Sequence, residues 1–91
     1  PAVAGRPVEV RVGPNPSPGE VAVTVRLDVP ATLTVDVVDA LGRRVARLHD
    51  GPVPAGDHTR TAATAAWAAG VYTVRVTGAS RTAVARFTVA R

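Results

Sequence analysis

The chain has 91 residues, no cysteine or methionine, three aromatics (Trp67, Tyr72, Phe87), and eleven arginines against seven acidic residues, for a net charge of +4. That length permits one small domain burying about 60–65% of the surface its unfolded chain exposes, so a large buried cofactor is excluded. Missing cysteine removes disulfides, thiolate metal sites and thiol nucleophiles, and no run approaches the roughly 18 apolar residues of a membrane span.

Residues 1–7 (PAVAGRP) read as a linker, small and proline-bearing without any period. Val8, Val10 and Val12 then alternate with Glu9 and Arg11, the pattern of a half-buried strand. The segment GPNPSPG at 13–19 holds three prolines without backbone donors, which forbids helix and central strand and predicts a turn-rich loop. Asn15 between prolines suits an Asx-type turn.

The clearest period-2 run is Val21, Val23, Val25 and Leu27, ended by Pro30. Leu33, Val35 and Val37 alternate next, and Asp39-Ala40-Leu41-Gly42 supplies turn chemistry, with Gly42 free to take a positive φ. The Asp39 carboxylate is expected to bond the turn's amides or pair with Arg43 or Arg44. Residues 44–50 predict a further strand, although Val45 and Leu48 fall on opposite faces under strict alternation. A bulge between them reconciles this.

GPVPAG at 51–56 reads as a six-residue hairpin loop, with 57–61 as the returning strand. That reading sets His49 beside His58 and Asp50 beside Asp57. Neighbouring side chains on a strand point to opposite faces, so at most one such pair shares a face and no metal site is predicted. The alanine-rich stretch 62–69 is too short for a stable isolated helix and predicts an irregular crossing that plants Trp67. Residues 71–77 and 81–90 are the last two strands, joined by a tight Gly78-Ala79-Ser80 turn. Ala83, Ala85, Phe87 and Val89 share one face of the last, and Tyr72 is expected in the core with its hydroxyl at the rim.

Seven short strands with turns every eight to twelve residues predict an all-β fold: a seven-stranded antiparallel immunoglobulin-like β-sandwich. The cysteine–tryptophan–cysteine signature of true immunoglobulin domains is absent. Scattered arginines and scarce aromatics supply neither a basic stripe nor a stacking platform, so no nucleic-acid partner is expected. Ser17 and Ser80 lie in turns with no nucleophile elbow around them, and no phosphate-cradling glycine loop or calcium-loop spacing occurs. Neither catalysis nor a cofactor is predicted. Exclusive use of arginine, scarce Asn, Gln, Cys and Met, and abundant proline suit a protein made for heat.

The order of punctuation is more specific than the fold class. GPNPSPG at 13–19 is followed by VDVVDALGRRVARL at 35–48, PAGDHT at 54–59, AAGVYTVRV at 68–76 and RFTVAR at 86–91. This succession resembles the C-terminal sorting domain of type IX secretion substrates, of the type A variety, over about residues 8–91. The residues carrying the resemblance are Asn15, Pro16, Gly19, Asp39, Gly42, Arg43, Gly56, His58, Gly70 and Tyr72. The chain differs in having Ala62 and Ala63 where an aromatic is common, and no lysine near its end.

The resemblance implies a non-catalytic, monomeric secretion signal, recognised by the type IX translocon and cleaved by a sortase-like peptidase. The cargo is then released or attached to anionic lipopolysaccharide at the cell surface. Residues 1–7 would be the tail of a linker from an upstream cargo domain, and 8–91 the sorting domain. Within it the final hairpin is expected to be what the machinery reads, with Tyr72, Arg81, Arg86, Phe87, Val89 and Arg91 as recognition residues. Two other readings fit the pattern: a structural immunoglobulin-like module similar to that of the flagellar hook-capping protein, and a carbohydrate-binding sandwich appended to an extracellular enzyme.

Overall fold

The alternation in Val21, Val23, Val25 and Leu27 becomes strand β2 (Glu20–Leu27), with all four side chains buried. The same rule, one face apolar and the other polar, builds six more strands in a computed structural model that describes residues 8–14, 19–78 and 81–90. These are β1 (Glu9–Gly13), β3 (Ala31–Val38), β4 (Arg44–Val53), β5 (Gly56–Ala63), β6 (Gly70–Gly78) and β7 (Arg81–Val89). All ladders are antiparallel, and no helix occurs among the described residues. One sheet has the order β1-β2-β5 and the other β4-β3-β6-β7.

The two sheets enclose one core. β2 contributes its four residues, β3 Leu33, Val35 and Val37, β6 Tyr72, Val74 and Val76, and β7 Phe87 and Val89. Burying one such side chain stabilises by roughly 1.5–3 kcal/mol, whereas ordering each residue costs about 1–2 kcal/mol. No strand is therefore stable alone. Val38 is also buried but stands outside this cluster, because alternation turns it to the opposite side of β3.

The β4 strand carries two irregularities where the sequence suggests one bulge. Val35 pairs with His49 but Asp36 with Arg47, and Val37 pairs with Ala46 but Val38 with Arg44, so Leu48 and Val45 are the extra residues. The outcome is that Ala46 and Leu48 pack against the core while Val45 stays exposed.

The hairpin expected over 51–56 does not form. Gly51, Pro52 and Val53 continue β4 opposite Leu33, Thr32 and Ala31, and β5 joins the other sheet by pairing with β2. Only Pro54 and Ala55 separate β4 from β5 at this crossing between the sheets. Val53 explains the difference: its buried side chain extends β4 by three residues, and Pro52 is tolerated because β4 is an edge strand. The pairings of His49 with His58 and Asp50 with Asp57 therefore do not exist. The proposed linker 1–7, the Asn15-Pro16 stretch and Arg91 lie outside the described residues.

Candidate recognition site

The ends of the strands sort the motif residues into two groups. At one end lie the β3–β4 turn with Asp39, Gly42 and Arg43, the start of β6 with Gly70 and Tyr72, and Gly19 ahead of β2. Gly56 and His58 belong to the opposite end, where β5 begins. Gly70 faces Val89, so the last residues of β7 join the first group.

The β3–β4 turn is built by one carboxylate. Asp39 Oδ1 accepts the amides of Leu41 (2.9 Å) and Arg43 (3.0 Å), and Oδ2 accepts Arg43 Nε at 3.0 Å. The Asp39 and Gly42 amides donate to the carbonyls of Arg43 and Asp39. Gly42 takes φ +84°, a left-handed conformation that disfavours side chains. The Arg43 amide, opposed by partial desolvation and aided by the Leu41 amide and the Arg43 guanidinium, holds the Asp39 carboxyl below its ordinary pKa of 3.8. The expected role of Asp39 is thus met by both mechanisms at once.

Across a cleft of about 190 Å³ from this turn runs the crossing from β5 to β6. Its anchor is Thr64, fully buried, whose amide donates to the Gly19 carbonyl at 2.8 Å and whose carbonyl accepts the Trp67 amide at 3.0 Å. Trp67 then packs on Tyr72 and Phe87, at centroid distances of 5.2 and 6.4 Å, and those two rings lie 5.7 Å apart. All three aromatics of the chain form one cluster, which composition alone did not reveal. Tyr72 is buried and its hydroxyl donates to the Ala68 carbonyl at 2.6 Å. Leu41 (77% exposed) and Val71 (49%) remain uncovered at this end.

The expected recognition residues divide by face. Tyr72, Phe87 and Val89 point into the core and are no more than 6% exposed, so in the folded domain their side chains are out of reach of a docking partner. They shape the surface from beneath. Arg86 is exposed on the other face of β7, with Thr82, Val84 and Thr88. Arg81 opens β7 opposite Gly78. Among the described residues β7 pairs only with β6, and although β1 lies alongside, no ladder joins them.

His49 and His58 stand on strands of different sheets and line one small void with Arg60. Arg60 Nη2 lies 3.4 Å from His49 Nδ1, His49 Nε2 is 3.1 Å from the Gly51 carbonyl, and His58 Nε2 is 2.6 Å from the Pro54 carbonyl. A permanently protonated guanidinium can only donate, so His49 Nδ1 accepts and Nε2–H donates. The histidines thus tie down the inter-sheet bridge. No group of three or more metal-ligating side chains occurs among the described residues.

Sequence reading missed the outer-face pair in which Arg47 Nε donates to Asp36 Oδ1 at 2.9 Å, with a second contact from Nη2 to Oδ2 at 3.4 Å. Asp36 is nearly buried, and its carboxylate holds the Arg47 guanidinium protonated. Only the register of β3 against β4, shifted by the bulges, brings them together.

Residues 11–90, nearly the whole chain, match the family model described as a secretion system C-terminal sorting domain. No curated protein matches the chain.

Proposed function

Because the chain belongs to the family of type IX secretion C-terminal sorting domains, we propose that its signal is read from the folded sandwich, along the unladdered edge of β7. The domain is a C-terminal secretion signal for type IX secretion, and it marks a protein for export to the cell surface or beyond. Sorting domains are non-catalytic as a class, and their partner is the secretion machinery.

One observation carries the β7 reading: the strand is buried on one face by Phe87 and Val89 and paired on one edge by β6, leaving the other edge unladdered. Strand addition uses such an edge, with backbone hydrogen bonds giving affinity and alternate side chains giving selectivity. In this reading the domain acts as a monomer, and a sortase-like peptidase separates it from its cargo within 1–7. The cargo then remains free or becomes attached to anionic lipopolysaccharide.

We read the sandwich as immunoglobulin-like. Lettered in order, the strands form sheets A-B-E and D-C-F-G, the immunoglobulin arrangement with its fourth strand moved from the fifth to the third. Tyr72, near the start of the sixth strand and bonded to a carbonyl four residues upstream, matches a tyrosine corner. A carbohydrate-binding role fits less well, because the aromatics pack on each other instead of forming an exposed platform.

Proline substitution tests the edge. Of two adjacent strand residues, Val84 and Ala85, one directs its N–H away from β6, and a proline there preserves the β6–β7 ladder while blocking strand addition. A reporter fused to Val84→Pro or Ala85→Pro, whichever stays folded by its melting transition, should stop at the outer membrane. Normal export by the folded proline variant would sink the reading.

A further inference from the structure

The outward face of the four-stranded sheet gathers charge that the fold does not use. The registers set out its rows across β4, β3, β6 and β7. One row runs Asp50, Thr34, Thr77, Thr82, the next Arg47, Asp36, Arg75, Val84, and the third Arg44, Val38, Thr73, Arg86. Arg47 is neutralised by Asp36 and approaches Asp50 at 3.6 Å. Arg44, Arg75 and Arg86 have no carboxylate partner among the described residues.

The opposite sheet provides the contrast. There Arg26 stands between Glu9 (3.9 Å) and Asp57 (3.8 Å), and the Thr24 and Thr59 hydroxyls bond each other at 3.0 Å. That face carries two arginines against three carboxylates (Glu9, Glu20 and Asp57), whereas the four-stranded face carries four against two. The asymmetry is local, and the overall charge of the chain does not reveal it.

Spacing indicates the kind of partner. Arg44 and Arg86 lie three strands apart in one row, about 14 Å, and Arg75 sits in the adjacent row about 7 Å along its strand. None of the three lines the cavities described above, so the face suits an extended plane of charges better than a small anion. Val84 (59% exposed) and Val71 (49%) stand on the same face and can enter a headgroup layer. Guanidinium groups match phosphate oxygens bidentately.

We propose that the four-stranded face, through Arg44, Arg75 and Arg86, docks on a phosphate-bearing membrane surface. The attachment is reversible, because three charges and two valines do not anchor a protein. It holds the domain flat on the bilayer, with the unladdered edge of β7 at the side of the attached face. It does not depend on which strand the secretion machinery reads.

Co-sedimentation of the domain with phosphatidylglycerol-rich vesicles tests this. Wild type should bind in low salt and dissociate as ionic strength rises. Each of Arg44→Thr, Arg75→Thr and Arg86→Thr, chosen because threonine suits strands, should weaken binding about fivefold, and the triple variant about a hundredfold. Arg11→Thr on the opposite face should change it less than about twofold. A matching loss in Arg11→Thr, equal binding to neutral phosphatidylcholine vesicles, or unchanged binding by a folded triple variant would overturn the proposal. So would tighter binding to soluble heparin than to the vesicles.

Discussion

The Tyr72 hydroxyl donates a 2.6 Å hydrogen bond to the Ala68 carbonyl, joining the third residue of β6 to the crossing that delivers it. The bond closes the crossing over the aromatic cluster, since Trp67 lies next to Ala68 and packs on the Tyr72 ring. Tyr72→Phe keeps the ring and leaves the carbonyl without its donor. It should destabilise the domain by about 1–2 kcal/mol, lowering Tm by roughly 4–16 °C in a domain of this size. An unchanged melting curve would show that the bond contributes nothing.

The two faces of β7 should respond very differently. Phe87→Ala removes a ring that is 1% exposed and touches both other aromatics, and should cost about 3–5 kcal/mol. Val84→Ala on the outer face should stay within about 0.5 kcal/mol. Denaturant titration of both variants checks this, and comparable losses would contradict the placement of the core.

Two glycines with positive φ carry different constraints. At Gly42 (φ +84°) an added methyl meets open space, so Gly42→Ala pays only for the left-handed backbone, about 1–2 kcal/mol. At Gly78 (φ +136°) a methyl would collide with the Thr32 carbonyl and the Leu33 side chain. Gly78→Ala should therefore lose more, about 2–4 kcal/mol, with a correspondingly larger fall in Tm.

Asp39 ties the β3–β4 turn to pH. Its carboxyl is held below 3.8 in the folded state, so the unfolded chain takes up this proton first as pH falls. The stabilisation is complete well above pH 3.8 and disappears as pH drops through the lower folded value. Wild type should melt above Asp39→Asn at pH 7, and the difference should close progressively below pH 3.8. A constant difference across that range would assign the effect to lost packing instead.

Composition suited to heat leads to one more expectation: the domain should melt above about 65 °C, the upper end of the mesophile range. Calorimetry decides it.

Much of the fold was legible because alternation is a local signal. Val21 to Leu27 and the inner residues of β7 announce their buried face without knowledge of any neighbour. Asp39 was equally legible, since a carboxylate can reach amides two and four residues ahead in its own turn. What stayed hidden depends on sheet assignment. Pro52-Val53 resembles loop punctuation until Ala31 and Thr32 are seen to face it. The burial of Tyr72, Phe87 and Val89 follows from their alternation, but the arginine rows exist only through the pairing of strands distant in sequence.

Pro54 and Ala55 carry the chain from one sheet to the other, and this governs the order of assembly. The hairpins β1–β2, β3–β4 and β6–β7 are local, but the inner ladders join β2 to β5 and β3 to β6, across about thirty to forty-five residues. A chain cut short before β6 leaves β3 without its inner neighbour and the aromatic cluster without two of its rings. If the signal is read along β7 as proposed, an unfinished protein cannot display it.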